Sequence, residues 1–156
     1  MHAVSTRSKQ PDDTRKMARA LASWLVAGDV ILLKGGLAAG KTLFVSALAQ
    51  ALGATDPVTS PTFSLVHIYP TPLGDLIHVD AYRLETLAEF RDLGLDELAE
   101  AGVLAIEWGG LVETDYPAAL EIEISEAGGD EARDIRLSSR SERWAPVLAT
   151  LAGVIA

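Results

Sequence analysis

The chain has no cysteine, only three histidines, and 13 basic residues against 22 acidic ones. Without cysteine there is no disulfide, no Cys-ligated zinc and no thiol nucleophile, which fits a reducing compartment. Three histidines are too few to suggest a multi-histidine metal site. A net charge of −9 makes the surface repel phosphate backbones on balance, so tight binding of tRNA or DNA by this chain alone is not expected. Long hydrophobic runs are missing as well. Nothing approaches the roughly 18 apolar residues of a membrane span, and Met1 to Gln10 is polar, without the apolar centre of a signal peptide. These absences predict a cytoplasmic protein. Internal repeats and low-complexity linkers are also lacking. The 156 residues, 49% of them hydrophobic, suffice for one well-buried core and not for two ordinary domains, so residues 1–156 read as a single domain.

Against that background one segment stands out. Gly35-Gly36-Leu37-Ala38-Ala39-Gly40-Lys41-Thr42 fits the phosphate-binding pattern Gly-x-x-x-x-Gly-Lys-Thr and directly follows the apolar run Val30-Ile31-Leu32-Leu33. In such a loop the backbone N–H groups, here from about Gly36 to Leu43, turn inward around a phosphate at a helix N-terminus. Lys41 supplies a cation for the β- and γ-phosphates, and Thr42 a hydroxyl for Mg²⁺. The loop does not read the base. No Asn-Lys-x-Asp guanine signature appears, and the choice of ATP rests on that absence and on the family resemblance described below.

The periodicity around this loop predicts alternating strands and helices. Met17, Leu21, Trp24 and Leu25 lie at helical spacing within Asp12 to Ala27, with Asp12 and Asp13 at the positive end of the helix dipole. Val30 to Lys34 reads as a central strand covered on both faces, and Thr42 to Leu52 as a helix stopped by Gly53. Thr55 to Thr62 reads as an irregular loop. Phe63 to Tyr69 and Leu76 to Asp80 read as strands joined through Pro70 to Gly74. Leu84 to Glu100 suggests one or two short helices broken near Gly94, before the strand Val103 to Ile106. Leu120 to Ile124 and Ile135 to Leu137 suggest a second strand pair, and Trp144 to Leu151 a closing helix. This order predicts a three-layer α/β domain of the P-loop nucleotide-triphosphatase kind, with a mostly parallel central sheet and antiparallel additions.

In open sheets of that kind ligands bind at the carboxyl ends of the strands, which selects Gly35 to Thr42, Asp80 and Glu107. Glu107, after four apolar residues, is placed to bind Mg²⁺ directly or through water. Asp80 is placed for a water-orienting role or the outer shell of Mg²⁺, or else is a turn-forming Asp, and His78 shares its strand face. His78 reads as a hydrogen-bonded histidine supporting the site or the core. Arg83 is either a structural salt-bridge partner or a finger for the γ-phosphate. Ser60-Pro61-Thr62 is either a loop-to-strand junction or a switch loop that orders around the γ-phosphate. Trp108 is either a core aromatic or a functional surface ring.

Taken together, the loop at Gly35 to Thr42, Ser60-Pro61-Thr62-Phe63, His78-Val79-Asp80-Ala81-Tyr82-Arg83 and Glu107-Trp108 resemble the TsaE family, also called YjeE, in order and spacing over about Asp12 to Arg133. The resemblance implies a small bacterial ATPase that works with TsaB and TsaD in forming threonylcarbamoyladenosine on tRNA. It implies ATP contacts from Gly35, Gly36, Leu37, Ala38, Ala39, Gly40, Lys41, Thr42 and Leu43, Mg²⁺ ligation by Thr42 and Glu107, and a functional need for Lys41, Asp80, Glu107 and Trp108. It also places Arg133 near the nucleotide. The competing readings are a small-molecule kinase and a nucleotide-dependent interaction module.

Overall fold

A computed structural model describes residues 1–36, 39–58 and 65–155. Seven strands form one sheet: β1 (His2–Ser8), β2 (Val30–Lys34), β3 (Val66–Thr71), β4 (Gly74–Asp80), β5 (Val103–Glu107), β6 (Leu120–Glu126) and β7 (Arg133–Ser139). Their order across the sheet is β1-β7-β6-β2-β5-β4-β3. The four central strands, β6, β2, β5 and β4, are parallel, and β7, β1 and β3 join antiparallel at the two sides.

The helices are α1 (Pro11–Ala22), α2 (Lys41–Leu52), α3 (Leu87–Arg91), α4 (Asp96–Ala101) and α5 (Ala145–Leu151), with 3₁₀ segments at Gly109–Asp115 and Glu142–Trp144. Helix α1 starts with Pro at its first position and acidic Asp12 and Asp13 in its first turn. Pro lacks only an N–H that would be unpaired there anyway, and the carboxylates face the positive end of the dipole. Its buried stripe is Met17, Ala18, Leu21 and Ala22. The helix stops at Ala22, short of the expected Ala27. Asp29 accepts the Val26 N–H at 2.8 Å, turning the intervening chain back toward β2.

Two cores lie on opposite faces of the sheet. On one, Ile31 and Leu33 pack with Phe44, Leu48 and Met17 beneath α1, α2 and α5. On the other, Leu32, Ile77, Val79, Leu104 and Ile106 pack with Phe90, Leu95 and Val112 beneath α3, α4 and the 3₁₀ segment. The continuous apolar runs of β2, β4 and β5 are therefore buried on both faces, as parallel strands between helices require. Strand β6 behaves differently. Leu120, Ile122 and Ile124 are buried, whereas Glu123 is exposed, so three layers at the centre become two beneath β6, β7 and β1.

Several expectations are corrected in detail. The polar stretch after Met1, for which the sequence pattern predicts no element, is edge strand β1, paired with β7 from His2↔Ser139 to Ser8↔Arg133. Strand β3 runs on to Thr71, which leaves Pro72-Leu73 as the turn to β4. Pro70 is tolerated within it because β3 is an edge strand. The described part of the expected irregular loop Thr55 to Thr62 ends at Val58; the expected switch loop Ser60, Pro61 and Thr62 lies outside the described residues, as do Leu37 and Ala38. Among the described residues, no helix is long and apolar enough to cross a membrane.

Candidate nucleotide-binding site

The carboxyl end of β2 leads through Gly35 and Gly36 to the N-terminus of α2. Gly35 sits at φ 147°, and a Cβ there would fall 2.2 Å from the Ile124 carbonyl oxygen, so the loop can pass over β6 only with glycine in this place. Gly40 caps α2 at φ 114°, and no side chain caps the helix or places an acid in its first turn. Among the described residues the first N–H groups of α2 are thereby left without intrahelical or side-chain acceptors at the positive end of the dipole, the arrangement that binds anions. Arg133, the first residue of β7, holds the loop from behind: its Nε donates to the Ala39 carbonyl at 3.0 Å, and its Nη1 to the Asp130 and Ala132 carbonyls.

Lys41 is only 4% exposed, yet it forms no ion pair among the described residues. Its Nζ donates to the carbonyls of Gly35 at 2.9 Å and Gly36 at 2.7 Å, and lies 4.0 Å from the centre of the Trp108 ring. Burial pushes its pKa below the ordinary lysine value, against an upward pull from Glu107 and Asp80. The ammonium is thus held by partial charges at the loop mouth, without a carboxylate contact that an incoming anion would have to displace.

The parallel register of β4 and β5 sets Asp80 beside Glu107, each at the end of its strand. Glu107 is 4% exposed. The Thr42 hydroxyl donates toward both of its carboxylate oxygens, 3.2 Å from each, and His78 Nε2 lies 2.5 Å from Oε2. Asp80 accepts the Tyr82 N–H on Oδ1 at 3.0 Å, a short turn that holds the carboxylate at the strand end. A threonine hydroxyl and a carboxylate side by side at a phosphate-binding helix are hard oxygen donors of the type Mg²⁺ takes, together with phosphate and water. Among the described residues no group of three or more His, Asp or Glu forms a complete metal cage. The residues present fit a cation that completes its shell from a nucleotide.

Trp108 follows Glu107 in the left-handed region, φ 63° and ψ 42°, the only such residue other than glycine among those described. This turn carries the ring over Lys41 at the margin of the second core, with Tyr82 tilted against it, ring centres 5.0 Å apart. The ring is half-buried, packing on that core while it covers Lys41. Nothing in the sequence marked Tyr82 as its support. Arg83 is exposed and forms no ion pair among the described residues, so the structural salt-bridge reading fails there.

Known proteins resemble this chain over most of its length. A family model described as "Threonylcarbamoyl adenosine biosynthesis protein TsaE" matches residues 8–135. A Streptomyces coelicolor protein named tRNA threonylcarbamoyladenosine biosynthesis protein TsaE is 43% identical over 148 residues, spanning 89% of this chain and 99% of that one. A Bacillus subtilis protein of the same name is 39% identical over 146 residues, spanning 92% and 90%. The crystal structure of Bacillus subtilis YdiB matches with a TM-score of 0.78 at 31% identity, covering 97% of this chain and 95% of that one.

Proposed function

The chain belongs to the TsaE family of tRNA threonylcarbamoyladenosine biosynthesis proteins, and from that premise we propose that it is a Mg²⁺-dependent ATPase acting with TsaB and TsaD. The observation that carries this reading is the contact of Thr42, on the phosphate-binding helix, with Glu107 at the end of the neighbouring parallel strand. Phosphoryl transfer needs positioning and charge neutralisation more than covalent chemistry from the protein. In this reading the loop N–H groups and the α2 N-terminus bind the β- and γ-phosphates. Lys41 turns its ammonium from the Gly35 and Gly36 carbonyls to the phosphates. Thr42 and Glu107 hold Mg²⁺, which when bound neutralises charge on the phosphate oxygens. Asp80, fixed by the Tyr82 N–H, orients a water at the mouth of the site. Hydrolysis then resets or drives the modifying complex.

A kinase would close arginines over its acceptor. Arg83 and Arg91 are the only basic residues between Lys41 and Arg133, and Arg91 is already held by Asp115 through two hydrogen bonds. The test is multiple-turnover modification of tRNA with purified partner proteins, alongside phosphate release, for the native chain, Lys41→Ala and Glu107→Ala. Each variant should lose about 100-fold or more of both activities, the scale on which transition-state charge contacts act. Equal product from all three would sink the ATPase role, and repeated rounds with a non-hydrolysable ATP analogue would favour the interaction module instead.

A further inference from the structure

His78 lies in the middle of β4, fully buried, and none of the steps above uses it. Its cross-strand neighbour on β5 is Ala105, and Asp80 pairs with Glu107 one step further along the same face. Alanine leaves room beside the imidazole, which leans diagonally across β5 until Nε2 meets Glu107 Oε2. A carboxylate only accepts, so Nε2 carries the proton and donates. The other ring nitrogen, Nδ1, is buried and has no hydrogen-bond partner among the described residues. The contact with Glu107 therefore runs from the Nε2–H to the carboxylate.

The consequence falls on Glu107. His78 engages Oε2 alone, while Oε1 meets only the Thr42 hydroxyl among the described residues. We infer that His78 is a positioning residue: its Nε2–H pins Oε2 of Glu107 and thereby leaves Oε1, beside the Thr42 hydroxyl, as the oxygen that would meet Mg²⁺. This inference rests on the nucleotide site proposed above and goes beyond it in naming what orients the metal ligand. Partners of this kind change metal affinity by about 10–100-fold when removed.

The test measures Mg²⁺ linkage without turnover, by titrating a fluorescent ATP analogue into the whole chain in excess Mg²⁺ and in EDTA. The ratio of the two affinities reports the metal site. For His78→Phe, which keeps the ring and removes the donor, the ratio should fall about tenfold or more while affinity in EDTA stays native. His78→Gln, whose amide reaches the same oxygen, should restore most of the ratio. If the phenylalanine variant does not fold, His78→Asn replaces it: its amide is too short to reach Oε2, and it should lose the ratio that glutamine keeps. A native ratio in His78→Phe, or equal ratios in His78→Asn and His78→Gln, would overturn the positioning role and leave the ATPase reading standing. No binding of the analogue by the native chain, or binding indifferent to Mg²⁺, would overturn both.

Discussion

Trp108 carries two opposing demands on one residue. A left-handed backbone costs a residue with a Cβ about 1–2 kcal/mol, and this cost is retained at a site where the ring covers Lys41. Trp108→Gly should therefore be more stable than Trp108→Ala in urea unfolding, by about 0.5–1 kcal/mol after allowing for the looser unfolded chain of glycine. Both should turn over ATP about tenfold or more slowly, since both lose the ring. An alanine variant as stable as the glycine one would refute the strain. Lys41 offers a second test through pH. Its folded-state pKa is lowered by burial, so in the alkaline range the unfolded chain binds more protons there than the folded one. The penalty for burying the charge is full below the lowered pKa and is relieved as pH rises from it toward the ordinary lysine value of 10.5. The stability of the native chain relative to Lys41→Met should accordingly rise over that window; a flat or falling difference in denaturant titrations would contradict the assigned direction. Lys41, Thr42 and Glu107 were legible as site residues because each sits at a fixed distance from an apolar run. His78 was legible as a hydrogen-bonded supporting residue, but its partner Glu107 was not, because that contact depends on strand register and on the small size of Ala105.

At the scale of elements, β2 and its flanks show how a remote contact holds the site's scaffold. Asp29, just before β2, is 7% exposed and receives Arg143 Nε at 2.9 Å and Nη2 at 2.5 Å. Arg143 also donates to the Trp24 carbonyl and stacks on Trp144, so it joins the end of α1, the start of β2 and the start of α5. Arg143→Ala would leave a buried carboxylate with only the Val26 N–H as partner, and should cost about 3 kcal/mol of unfolding free energy. The pair lies at the end of β2 away from the phosphate loop, so KM for ATP should stay native; a shifted KM with native stability would reverse that assignment. The long amphipathic or apolar segments were readable because their periods are local. Strand β1 was not, since its polar, one-sided pattern gains meaning only when β7 pairs with it, 137 positions away at His2↔Ser139. The 3₁₀ segment Gly109–Asp115 was missed for a related reason. Its Glu113 binds Lys34 at 2.5 Å, and Lys34 in turn binds Glu121 on β6, contacts set by the finished sheet.

For the whole molecule, charge and topology make separate statements. The net charge of −9 disfavours phosphate backbones, so the chain alone should show no tRNA binding half-saturated below about 10 μM at roughly 0.15 M salt. Tighter binding in a gel-shift titration would show a basic surface that the summed charge conceals. Sequence by itself determined the phosphate loop, the alternation of strands and helices around it, and the acids at two strand ends, because each is a pattern within a few neighbouring residues. The three-dimensional structure decided that these parts form one site. Only the order β6-β2-β5-β4, with β4 and β5 in register, brings residues 41–42, 80 and 107–108 together. That order depends on which apolar faces bury against which helices, a property of the packed chain that no short segment contains.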